Sequence, residues 1–151
     1  ISTGVMLREH VENETELGLV AKEILNKGNL VSDELVTSML IERLENDDCE
    51  KGAILDGFPR TITQAESLNI EGLNIKTVIL FEVNETELIK RMVERGREDD
   101  TEESIKVRLD VYRDETLPLI KFYDDKDVLK TVDAFGDIDE IFNHISGLMK
   151  T

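Results

Sequence analysis

The segment Asp56-Gly57-Phe58-Pro59-Arg60 gathers a carboxylate, a flexible glycine, a stiffened turn and a planar guanidinium within five residues, directly after the apolar run Ala53-Ile54-Leu55. A carboxylate at the end of a strand can hold a magnesium ion through water. Glycine lets the backbone come close to a ligand, and the fork of an arginine matches phosphate. Further arginines follow at telling positions. Arg91 and Arg95 lie one helical turn apart, Arg97 sits in a polar loop, and Arg108 flanks the stripe Ile105, Leu109 and Tyr112, which directs it toward a cleft. Each alone has a plain explanation. Asp56 and Arg60 could be surface residues of a strand-turn-helix connection, and Arg91 is spaced to pair with Glu87 at i, i+4. Together they point to phosphate chemistry.

These few cations matter because the chain is acidic, with a net charge of −16 over 151 residues. Such a surface repels nucleic acid and anionic membranes, so neither is an expected partner. A protein of this charge that binds phosphate must collect its arginines locally. With 40% hydrophobic and 34% charged residues, one globular domain is expected. No apolar run reaches membrane-span length, and no leader of the secretory kind opens the chain. A single cysteine, Cys49, forms no internal disulfide and suits a reducing cytoplasm.

The elements that would position these residues are legible as periodicities and caps. Ser2 or Thr3 caps a first helix. Asn13 and Glu16 have capping-box spacing for a second, which Gly28 ends. Ser32-Asp33 opens a third with Leu35, Val36, Met39, Leu40 and Leu44 on one face. Asn84 with Glu87 opens a helix that turns Leu88, Ile89, Met92 and Val93 inward. Thr101 caps a long helix bent near Pro118, and Asp137 precedes a last helix to Met149. Ala53–Leu55 and Thr77–Val83 read as buried strands, and Val128–Val132 as a third strand. Strands separated by helices predict an α/β fold with a parallel sheet.

With these motifs in order, the chain resembles the adenylate kinases, within the nucleoside monophosphate kinases. The resemblance rests on Ser2-Thr3-Gly4, Gly28 to Leu35, Asp56 to Thr61, Gln64-Ala65 and Arg97 to Glu103. It implies a three-layer α/β/α fold of the P-loop type and the reaction ATP + AMP = 2 ADP with Mg2+. It implies AMP contacts from Thr3, Arg8, Asn29, Leu30, Val31, Gly57, Arg60 and Gln64, with Arg8 on the phosphate and Gln64 on adenine. Arg91, Arg95, Arg97 and Arg108 would converge on the transferring phosphates, Arg91, Arg95 and Gly136 would contact ATP, and Asp56 would sit by the magnesium. Thr61 after Arg60 favours AMP over UMP or CMP, since pyrimidine-specific relatives usually carry asparagine there. Residues 2–45 would form a helical AMP-binding part, 52–94 and 109–151 the core, and 95–108 a short lid. With one cysteine, a zinc-bearing lid is excluded.

Two departures stand against the family pattern. Val5 replaces the aspartate usual after Ser-Thr-Gly, and no Gly-x-x-x-x-Gly-Lys-[Ser/Thr] occurs in the 151 residues. The resemblance implies that this loop, with the first strand and first helix, would precede Ser2. The expectation is a truncated single domain, a monomer in its full-length form, that turns over poorly alone. Two alternatives remain: a non-catalytic AMP-binding remnant or interaction module, and a kinase for another nucleoside monophosphate.

Overall fold

The computed structural model describes residues 1–149 and is rich in helix. Its N-terminal part is three helices, α1 (Thr3–Glu12), α2 (Glu16–Asn26) and α3 (Asp33–Leu44). Helix α2 packs tightly along α1, because Gly18 offers no side chain where a Cβ would lie 1.9 Å from the His10 carbonyl oxygen. Leu7, Ala21, Val31, Val36, Met39 and Leu40 form the core here, joined by Phe58 and Leu68. The α3 stripe forms in part: Val36, Met39 and Leu40 are buried and Leu44 packs against them half-buried, while Leu35, expected on the same face, is exposed.

After a short 3-10 turn (Asp47–Cys49), the chain runs through Asp56 and a cis Phe58–Pro59 peptide into α4 (Ile62–Ile70). Strand β1 (Val78–Glu82) leads to α5 (Glu85–Arg95). Helix α6 (Glu102–Val111) passes through one wider turn, Tyr112–Thr116, into α7 (Pro118–Asp124). Pro118 has no amide hydrogen to give the preceding turn, and the backbone stays helical through Leu117, so the long helix carries a wider turn just before the proline instead of ending there. Strand β2 (Leu129–Asp133) and α8 (Ile138–Leu148) complete the order. A second core forms from Ala65, Leu119 and Tyr123.

The fold is α/β, and its strands pair in parallel, Val78 with Leu129 through Glu82 with Asp133. Three expectations are corrected. Ala53–Leu55 is not a strand; its neighbourhood makes only an isolated parallel bridge between Ser2 and Asp56, so among the described residues the sheet has two strands. β1 and α5 are less buried than their apolar runs predict: Phe81 is 52% and Val93 61% exposed, and no α5 residue is buried. The second helix is capped by Thr15, whose hydroxyl accepts from Gly18 N–H, and not by Asn13. The caps at Asn84, Thr101 and Asp137 form as their spacing predicts. Among the described residues no helix is long and apolar enough to cross a membrane.

Candidate phosphate-binding site

The parallel bridge between Ser2 and Asp56 brings the start of α1 against the turn before α4. Thr3 donates its backbone N–H to Asp56 O at 3.2 Å, so its side chain enters the turn. It does not cap α1; its hydroxyl, 3% exposed as a residue, donates to Gly57 O at 3.0 Å. Arg60 donates from Nε to the same carbonyl at 2.9 Å. Gly57 adopts a φ of +74°, and a Cβ there would meet the Arg60 guanidinium at 2.9 Å and the Thr3 hydroxyl at 3.4 Å. The positive φ is what calls for glycine here; the tip of Arg60 would have to give way to a Cβ, while the Thr3 hydroxyl would sit in ordinary contact with it.

Gln64 is 2% exposed and follows within the first turn of α4. Its side-chain oxygen accepts the Arg60 backbone N–H at 2.7 Å, and its Nε2 donates to Asp33 Oδ1 at 2.8 Å. The other Asp33 oxygen accepts from the Thr61 hydroxyl at 2.9 Å. Asp33 opens α3, so these bonds tie α3 to α4 across 28 and 31 residues of chain. The sequence marks Asp33 only as a cap residue; its partners lie too far along the chain for any local signal.

The arginines converge as the charge argument requires, with one exception. Arg60 is exposed by its accessible surface, yet the protein crowded around its guanidinium pushes its pKa down; Asp56 opposes the shift, and Arg108 and Arg8 add to it. Arg97 is pushed down by burial first, then by Arg8 and Arg95. Arg8, Arg60, Arg95, Arg97 and Arg108 thus share one electrostatic neighbourhood. Arg91 stands apart: it pairs with Glu87 at 2.8 Å and donates to Ala134 O at 2.9 Å, beside the loop that carries Gly136 at a φ of +136°. The plain i, i+4 pairing holds there.

Asp99 and Asp100, part of the Arg97 to Glu103 motif but given no role in the site by the sequence, occupy the middle of this cluster. Arg95 grips Asp100 through two bonds of 2.9 and 2.7 Å, and Arg108 adds a third at 2.6 Å. Arg108 also binds the Asp99 carboxylate and, at 3.2 Å, its carbonyl. Burial acts to raise the Asp100 pKa, but the bonds from Arg95 and Arg108 outweigh it and hold the carboxyl below its ordinary range. Gly28, at a φ of +79°, lies against this region: a Cβ would stand 2.5 Å from Ser104 O and 3.2 Å from Arg108 Cγ.

Of the remaining expected residues, Val31 is buried in the N-terminal core, while Asn29 and Leu30 line an open groove with Leu19, Val20, Glu23, Ile24 and Lys27. Asp56 is exposed, and its carboxylate takes no hydrogen bond among the described residues. Those residues contain no cluster of three or more His, Cys, Asp or Glu side chains able to cage a metal. A single open carboxylate suits magnesium, which keeps most of its water and completes its shell with phosphate oxygens.

Parallel strands, a carboxylate where an extended segment ends and arginines gathered nearby are the arrangement in which α/β proteins bind ligands beyond their strand ends. A family model described as adenylate kinase matches residues 1–128. The adenylate kinase of Mycobacteroides abscessus is 47% identical over 150 residues, covering 97% of this chain and 82% of that protein. Those of Mycobacterium sp. (strain MCS) and Mycolicibacterium paratuberculosis are 48% and 49% identical over 146 residues, covering 94% of this chain and 80% of each. The chain belongs to the adenylate kinase family, whose fold and phosphotransferase class it shares.

Proposed function

We propose that the protein catalyses reversible phosphoryl transfer from ATP to AMP, giving two ADP, with Mg2+ held through water at Asp56. The observation that carries this is the convergence of Arg8, Arg60, Arg95, Arg97 and Arg108 in a chain of net charge −16. Phosphoryl transfer demands positioning and charge neutralisation more than covalent chemistry. Arg8 and Arg60 would take the AMP phosphate beside Thr3 and Gly57. Arg97 and Arg108 would neutralise the transferring group, and Arg95 would reach ATP. Arg91, with Gly136, would contribute on the ATP side once its bond to Glu87 is exchanged. Asn29, Leu30, Val31 and Gln64 would frame the base. Bound magnesium supplies charge neutralisation on the phosphate oxygens. Residues 95–108 would close as a lid over the reaction and exclude water.

A second reading is binding of AMP without turnover. Two observations favour it: Val5 stands in place of the family aspartate, 46% exposed on α1, and Asp99 and Asp100 occupy Arg108 and Arg95. A coupled assay for ADP formation, run beside calorimetry with AMP and ATP, separates the two. Turnover with AMP above that with UMP or CMP supports the kinase. AMP binding without ADP formation supports the second reading, and a preference for UMP or CMP would overturn the AMP assignment. Arg60→Ala is expected to weaken AMP binding by about 10- to 100-fold, since a charge-assisted bond to phosphate contributes roughly 1.5–3 kcal/mol.

A further inference from the structure

We propose that Asp33 is a positioning residue that sets base specificity by fixing which way the Gln64 amide faces. The inference rests on the reading that Gln64 meets the nucleotide base.

A glutamine amide has two orientations related by a half-turn, and only its neighbours decide between them. Here both neighbours are one-sided. Asp33 presents a carboxylate oxygen, which accepts, 2.8 Å from Nε2; the Arg60 backbone presents an N–H, which donates, 2.7 Å from Oε1. Turning the amide over would set oxygen against carboxylate and NH2 against N–H, leaving four mismatched groups where the residue is 2% exposed. Asp33 is itself held by the Thr61 hydroxyl, which also caps α4 by accepting from Gln64 N–H at 3.1 Å. The carboxylate therefore cannot swing away without releasing both bonds.

Locked in this way, Gln64 keeps one N–H and one oxygen lone pair unspent. Adenine offers the complement, an N1 acceptor beside an N6 amine donor. Hypoxanthine offers the reverse, an N1–H donor beside a 6-oxo acceptor. A free glutamine reads both by turning over, whereas one locked by a carboxylate reads only the first. The discrimination lies in Asp33, which need not touch the nucleotide.

The test compares AMP with IMP by equilibrium binding to the full chain, as wild type and as Asp33→Asn, with melting curves recorded for both. Asparagine can turn its own amide to accept or donate, so it keeps the shape and releases the lock. Wild type is expected to prefer AMP strongly, and Asp33→Asn to lose at least about tenfold of that preference, because unpaired buried polar groups are what reject the wrong ligand. A variant that melts like wild type and keeps the full preference overturns the proposal. A second readout needs no variant: in 15N-labelled wild type, one Gln64 side-chain amide proton is expected to exchange slowly with water. Rapid exchange of both protons overturns the lock. If wild type binds no AMP, the adenylate reading fails and this inference with it; AMP binding with an unchanged preference in Asp33→Asn defeats the inference alone.

Discussion

Arg108 Nη1 lies 2.6 Å from Asp100 Oδ1, and the Asp100 side chain is only 1% exposed. The same oxygen receives Arg95 at 2.7 Å, so one buried carboxylate binds the end of α5 to the middle of α6 across the loop between them. Removing one partner of such a group costs more than the pair contributes net, because the remaining charges stay desolvated.

Asp100→Asn is accordingly expected to destabilise the fold at neutral pH by about 2 kcal/mol, less than a fully buried pair would because Arg95 and Arg108 retain some water. The pH dependence follows from the sign of the shift. The folded pKa of Asp100 lies below its ordinary 3.8, so its contribution is present above that value and is lost as pH falls through the folded pKa. Denaturant titrations from pH 7 down to pH 2 should show wild type losing its advantage over Asp100→Asn below about pH 4. A constant difference across that range would remove Asp100 from the acid limb.

Gly28→Ala is expected to push α6 away from the end of α2. The added methyl would meet the Ser104 carbonyl at 2.5 Å, a backbone atom that cannot swing aside, and the φ of +79° adds strain. A loss of about 1–3 kcal/mol is expected from the overpacking alone. Limited proteolysis should show earlier cutting between residues 95 and 108 than in wild type. Unchanged stability and cutting would mean that the two regions do not bear on each other in solution.

Tyr123 is 4% exposed, and its hydroxyl has no hydrogen-bond partner among the described residues. Burial pushes its pKa up to about 12. The unfolded chain ionises this group near its ordinary 10.0, so the folded state loses stability as pH rises from 10 through 12. Tyr123→Phe is expected to flatten this alkaline loss in melting experiments. At neutral pH it should be neutral or stabilising by about 1 kcal/mol, since it removes a buried group that pairs with nothing.

The sequence carries most of the helices because their signals are local. Asn84, Thr101 and Asp137 each sit where a side-chain oxygen meets an amide two or three residues on, and each forms that cap. The second helix shows the limit. Asn13 and Thr15 both suit its start, and the choice falls to packing, where His10 bonds Thr15 through Nδ1 at 3.0 Å. The strand expected at Ala53–Leu55 fails for a related reason: a strand is defined by its neighbours, and three apolar residues do not specify one. In the site, Gly57, Arg60, Arg91, Arg95, Arg97 and Arg108 stand out as residue types that suit phosphate, while Thr3 and Arg8 enter only through the family resemblance. Asp33, Asp99 and Asp100 do not stand out, because a carboxylate in a helix cap or polar loop reads the same whether it faces water or a guanidinium far along the chain.

The carboxylates on Arg95 and Arg108 bear on how the site responds to ionic strength. Mobile counterions gather on unneutralised guanidinium groups, and a phosphate that displaces them binds more weakly as salt rises. Arg8, Arg60 and Arg97 form no ion pair among the described residues and belong to that kind. Arg95 and Arg108 instead carry counterions tethered to the chain, whose local concentration added salt does not change. A phosphate arriving there exchanges one anion for another and frees no ion to solution. The salt dependence of nucleotide affinity would therefore report three guanidinium groups where the cluster contains five.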